Sequence, residues 1–195
     1  MVTANAETLT ANQVARRTRV IDAALELASE GGYDAVQMRD VAGRAQVALG
    51  TIYRYFSSKD HLLAACQVEL WQAQAESLQT RPPKGDTPAE RVASLLTRSM
   101  RGAETEPQRT AALVTASASP DPAVRDCQAE MMAIMDDVLL AAMDGEGEIE
   151  ATRAREVAVT LRQVWFAWLL GWVNGWNDAA TVSNQLETAT RLLLD

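Results

Sequence analysis

The residues best suited to chemistry lie between Gln37 and Lys59. Over positions 39–59 the chain sets Arg39, Arg44, Arg54 and Lys59 against one acid, Asp40, for a local charge of +3. Among them stand Leu49, Gly50, Thr51, Tyr53 and Tyr55, so that small side chains, a hydroxyl and two phenols neighbour the cations. An arginine fork matches the acceptor pair on guanine, and a glycine lets a helix approach a groove floor closely. Arg16, Arg17 and Arg19 add a second basic cluster upstream. This mixture suits a nucleic-acid groove. It does not suit catalysis: GxSxG, HExxH and P-loop patterns are absent, and the one histidine, His61, reads as a solvated residue at a helix start. No enzyme activity, no cofactor and no metal site are expected. The acidic run from Asp144 to Glu148 lacks the glycine and terminal glutamate of a calcium loop at the required offsets, and reads as a solvated connection.

Taken globally, composition argues the other way. The 195 residues carry a formal net charge of -8 and a sequence pI near 4.7. The charge is unevenly spread, however. Residues 1–61 hold seven basic and seven acidic side chains, and residues 62–195 hold 11 and 19, which is the whole excess. Phosphate contacts need local cations within a Debye length of about 8 Å, not a basic protein. Cys66 and Cys127, 61 positions apart and without CxxC spacing, read as reduced thiols. The start of the chain has no basic and apolar leader pattern. The longest apolar run, Val164 to Val173, is far short of the about 20 residues a membrane span needs. A cytoplasmic protein without a membrane partner is expected.

The elements that must position these residues are helical throughout. A first helix over about 12–30, with Val14, Ile21, Ala24, Leu25 and Ala28 inward, ends at Gly31-Gly32. Two short helices, about 37–44 and 48–54, follow. Helices so short and so tightly joined are stable only when packed crosswise on the first, as a helix-turn-helix, with Val41, Ala42, Val47, Ile52 and Phe56 inward. A longer helix follows Ser57-Ser58, with Leu62, Leu63, Cys66, Leu70 and Trp71 inward. Arg81-Pro82-Pro83-Lys84-Gly85 breaks the chain, and Thr87 with Glu90 opens the next helix as a capping box. Pro107 and Ser119-Pro120-Asp121-Pro122 start two more, the second running to Asp144. Helices over about 148–176 and 182–194 complete an all-α chain of about nine helices.

Residues 14–65 resemble the TetR family of bacterial repressors. The glycine–aromatic pair Gly32-Tyr33 and the run Thr51-Ile52-Tyr53-Arg54-Tyr55-Phe56-Ser57-Ser58-Lys59 carry the likeness. Gly31 to Arg39, Val41-Ala42, Val47-Ala48 and Gly50-Thr51 resemble further the sterol-catabolism branch of that family. The resemblance implies a DNA-binding domain over 1–60 and a ligand-binding and dimerisation domain over 61–195. It implies base-edge contacts from Arg39 and Tyr53, a groove lined by Leu49, Gly50 and Thr51, and phosphate contacts from Tyr55, Lys59 and Gln37, with Arg16, Arg17 and Arg54 alongside. Three positions depart from the family pattern. Gln37 stands for a Ser/Thr, Gln46 for the turn glycine, and Ala48 for a serine cap.

In the remainder, Trp165, Trp168, Trp172 and Trp176 form one stripe of a long helix, while Val164, Phe166, Ala167, Leu170 and Val173 make its other side apolar too. A helix apolar all round is buried on all sides, here by its own core or cavity and by a partner subunit. The family implies a homodimer built on the last two long helices. Met100, Leu113, Met131, Met135, Leu139, Trp165, Trp168 and Leu169 are the candidate lining for an apolar small-molecule effector, methionine being adaptable packing. The resemblance makes that effector a steroid or an acyl-CoA thioester. The expected function is a ligand-responsive repressor that binds double-stranded DNA at an inverted repeat. The alternative is a small-molecule binding protein on the same scaffold that no longer reads an operator.

Overall fold

The computed structural model of the chain describes residues 10–143 and 149–194. The acidic run at 144–148 lies outside the described residues. Nine helices and no strand are found among them: α1 Ala11–Ala35, α2 Met38–Ala45, α3 Leu49–Tyr55, α4 Lys59–Thr80, α5 Pro88–Thr105, α6 Pro107–Ser117, α7 Pro122–Met143, α8 Ala151–Val173 and α9 Ala179–Leu194. None of the described helices is long and apolar enough to cross a membrane. Neither cysteine forms a disulfide.

Local chemistry accounts for most of these boundaries. Thr10 opens α1 with a capping box closed by Gln13, and Thr87 opens α5 with one closed by Glu90. Glu150 caps α8 by accepting from the amides of Thr152 and Arg153, which hold its carboxyl below the usual range. Helical geometry in α1 lapses at Gly31 and Gly32, where Gly32 takes φ +68, and one further turn leads to Val36. Val14, expected inward, is 46% exposed, because the buried face of α1 begins only at Val20. Leu70 and Trp71 of α4 are half-buried, whereas Leu62 to Val68 are buried.

The chain divides into two compact units. The first takes the chain through Glu69 together with Pro107–Ala129; the second takes Leu70–Glu106 and the chain from Glu130 onward. In the first, α1 packs on both α2 and α6. Its core holds Val20, Ile21, Ala24, Val36, Val41, Ile52, Phe56, Leu62 and Leu63, with Leu113 of α6 also buried. The first unit thus takes in α6 and the start of α7 as well as the N-terminal helices. In the second unit, α9 packs on α5 and α8.

The tryptophan stripe is interrupted. Trp165 is buried and Trp168 and Trp172 are half-buried, but α8 stops at Val173 and Trp176 is 71% exposed. Gly175, at φ +73, turns the chain there, and the Trp176 amide donates to the Gly171 carbonyl at 2.8 Å. A glycine in the left-handed region ends a helix at little cost, and this one does so before the last tryptophan.

Candidate nucleic-acid interface

The head begins with two helices that lack side-chain caps. Gln37 precedes α2 but turns its amide back to the Asp34 carbonyl at 2.9 Å, and Ala48 precedes α3 with nothing to offer. Between them Gln46 lies at φ 54 and ψ 48, the left-handed region, with its N–H directed to the carbonyls of Ala42 and Gly43. The Val47 amide donates to the Ala42 carbonyl at 3.0 Å and closes the turn. A non-glycine residue in this conformation costs about 1 kcal/mol. The turn is kept nonetheless, because it drops α3 crosswise with Ile52 fully buried and Tyr53 outward.

What α3 presents is chemically mixed. Tyr53 is 53% exposed, Gly50 and Arg54 are exposed, and Leu49, Thr51 and Tyr55 are half-buried. A Cβ placed on Gly50 would meet nothing within 4 Å. The guanidinium of Arg54 lies 5.2 Å from the centre of the Tyr55 ring and donates to its hydroxyl at 3.3 Å. Arg16 and Arg39 are exposed and make no hydrogen bond or ion pair among the described residues.

The other basic residues are occupied. Arg44 grips both carboxylate oxygens of Glu30 at 2.6 and 2.9 Å, with Glu26 at 3.7 Å. This pairing holds the Glu30 carboxyl below its ordinary range. Arg19 donates to the Ala45 carbonyl at 3.3 Å. Arg17 pairs with Glu69 and lies 5.7 Å from the Phe56 ring centre. Lys59 sits 3.6 Å from the Tyr33 ring centre and donates to the Tyr33 carbonyl at 3.2 Å. The Tyr33 hydroxyl in turn donates to Asp60, which pushes its pKa up to about 12. Of the four cations between 39 and 59, Arg39 and Arg54 are thus the two held by neither a carboxylate nor a backbone carbonyl among the described residues, and Arg16 of α1 joins them.

A polar junction follows α3. Ser58 Oγ accepts from the His61 amide at 3.1 Å, and His61 Nδ1 accepts from the Ser57 amide at 3.1 Å. The hydroxyls of Ser57 and Ser58 both donate to Asp121 Oδ2, at 3.3 and 3.0 Å. The other oxygen of Asp121 accepts from the Ala123 amide at 2.9 Å and caps α7. No local signal in the sequence joins Asp121 to the serines.

The apolar residues read as an effector lining fall in two places. Met100, Met131, Met135, Leu139, Trp165 and Leu169 are all buried in the second unit, where Trp71 meets Trp165 edge-to-face at 6.5 Å. Trp168 is half-buried there. Leu113 belongs to the first unit. Arg162, itself 9% exposed, pairs with Asp136 at 2.7 Å. On α8 Val159, Phe166 and Ala167 are exposed, as is Leu192 on α9. No group of three or more metal-ligating side chains occurs among the described residues.

The family model for bacterial regulatory proteins of the tetR family matches residues 20–66, the head just described, and the tetracyclin repressor-like C-terminal domain model matches residues 85–193. The chain belongs to the TetR family. Within it, the chain is 38% identical to the HTH-type transcriptional repressor KstR of Rhodococcus jostii over 182 residues, 93% of this chain and 84% of that one. It is 34% identical to KstR of Mycobacterium tuberculosis over 92% of this chain and 80% of that one. A TetR transcriptional regulator from Rhodococcus sp. RHA1 shares the fold with a TM-score of 0.84 and 29% identity, over 94% of this chain and 97% of that one. FadR of Thermus thermophilus, solved in complex with lauroyl-CoA, aligns with a TM-score of 0.73 at 22% identity, over 91% and 92% of the two chains. The protein is a TetR-family transcriptional repressor similar to KstR, and its two-helix head is the family's helix-turn-helix.

Proposed function

We propose that the protein represses transcription as a homodimer on an inverted-repeat operator and is released by an apolar effector, a steroid or an acyl-CoA thioester. The exposed face of α3 carries this reading. Gly50 has open space around it, and Tyr53 projects beside it. Arg39 and Tyr53 read base edges, while Leu49, Gly50 and Thr51 line the groove. Arg16, Arg54, Tyr55 and Gln37 meet phosphates. Arg17 and Lys59, bound to Glu69 and Tyr33, support the head and reach phosphate only by leaving those partners. Residues 1–60 serve DNA and 61–195 serve effector and dimer. An enzymatic role forms no part of this reading.

The effector class is supported by the buried methionines and tryptophans of the second unit and by the likeness to KstR. It is supported also by FadR neighbours solved with lauroyl-CoA and stearoyl-CoA. To act as inducer, the ligand must favour the DNA-incompetent form, each tenfold preference being worth about 1.4 kcal/mol.

The test begins with selection of an operator from a random duplex pool. Tyr53→Ala and Arg39→Ala are then expected to lose about 5- to 150-fold in specific affinity while remaining folded, as each such contact contributes about 1–3 kcal/mol. Normal operator binding by Tyr53→Ala in a mobility-shift assay would sink the assignment of α3. The uncapped starts of α2 and α3 favour one other reading, a ligand-binding protein that has lost its operator, and for it the pool yields no enriched palindrome.

A further inference from the structure

The junction after α3 is more elaborate than two helix caps require. Ser58 alone caps α4, through the His61 amide, and one oxygen of Asp121 alone caps α7, through the Ala123 amide. Yet the second oxygen of Asp121 gathers the hydroxyls of Ser57 and Ser58, residues more than sixty positions earlier in the chain. Ser57 is exposed, so water is available to its hydroxyl. The exposed Ser57 bond competes with water and adds little to stability. The two serine bonds do fix direction. Ser57 follows Phe56, which is buried against Arg17 and edge-on to His61 at 5.5 Å. Phe56 in turn ends α3 through its amide bond to the Ile52 carbonyl at 2.9 Å. One carboxylate therefore sets the end of α3 against the start of α7.

We propose that Asp121 is a positioning residue for operator reading, holding α3 at the angle from which Tyr53 and Gly50 meet the groove. The inference rests on the assignment of α3 as the reading helix. Asp121 touches no DNA in this scheme. It acts through Ser57 and Ser58.

Asp121→Ser separates positioning from folding. Serine is as good a helix cap as aspartate and keeps the bond to the Ala123 amide, but it is too short to gather both serine hydroxyls. Wild type, Asp121→Ser, Asp121→Asn and Tyr53→Ala are compared for affinity to the selected operator and to a scrambled duplex of the same length, in one buffer. Asp121→Ser is expected to lose about tenfold on the operator. On the scrambled duplex it should hold or slightly gain affinity, since a negative charge has gone. Asp121→Asn, which retains the reach, recovers most of the loss. Equal losses on both duplexes, or operator affinity within twofold of wild type, overturn the proposal. A Tyr53→Ala variant that binds operator normally rejects instead the reading of α3 on which it rests. An unchanged melting temperature in Asp121→Ser is part of the expected result, and a lowered one with proportional loss on both duplexes returns Asp121 to a structural role.

Discussion

Gly50 is conspicuous for what it lacks. Within a helix, glycine costs about 1 kcal/mol relative to alanine, and neither a positive φ nor a close neighbour requires it here. The chain's own packing gives no reason for a glycine, whereas a groove floor gives one. Gly50→Ala should therefore melt at the same temperature as wild type or slightly above it, while operator affinity falls about tenfold, as thermal unfolding and mobility shift would show. Gln46 is the converse case. The sequence showed a glutamine where the family places glycine, and the structure keeps the left-handed turn regardless. The roles of Arg17, Arg44 and Lys59 were less legible. A basic residue looks the same in sequence whether its partner is phosphate or Glu30, and only folding brings Glu69 to Arg17 or Tyr33 to Lys59.

At the scale of elements, what could be read was what local chemistry determines. Gly31-Gly32 marks a break within α1, and the Thr87–Glu90 box, Pro107 and Pro122 mark the starts of α5, α6 and α7. Apolar spacing continues through Trp176, but α8 ends at Val173, and Gly175 at φ +73 turns the chain before the last tryptophan. Periodicity extends the inward face of α1 to Val14, whereas the buried residues of the helix begin at Val20. The α3–α4 junction also makes stability depend on pH. Burial lowers the pKa of His61 below its ordinary 6.5, opposed by Asp121, assisted by Arg17 and opposed again by Asp126. Its Nδ1 accepts from the Ser57 amide, which a proton there would prevent. A depressed histidine pKa means that the neutral form is favoured by folding. Its contribution is complete above about pH 6.5 and is lost as pH falls through the lower folded value. Chemical denaturation between pH 7 and 5 should thus show a smaller decline for His61→Gln than for wild type. An equal decline would remove His61 as its source.

For the whole molecule, the net charge of -8 proved to be an average over a neutral head and an acidic remainder. For the proposed homodimer, we place the seam at the exposed apolar row of α8, Val159 and Phe166 with Ala167 beside them. Phe166→Glu should raise the dimer dissociation constant about 100-fold or more, read by sedimentation velocity, and weaken operator binding in step, because two heads are needed to span two half-sites. A variant that stays dimeric would move the seam elsewhere. The uncapped helices and the left-handed Gln46 carry a consequence for how the free protein breathes. Gln46, in the left-handed region, and two helix starts without a side-chain cap lie between Gln37 and Leu49, whereas Leu62 to Val68 lie in the core. Local opening draws on the least stable segment first. In deuterated water the amides of Met38–Tyr55 are expected to exchange faster than those of Leu62–Val68, and equal protection of the two would overturn this.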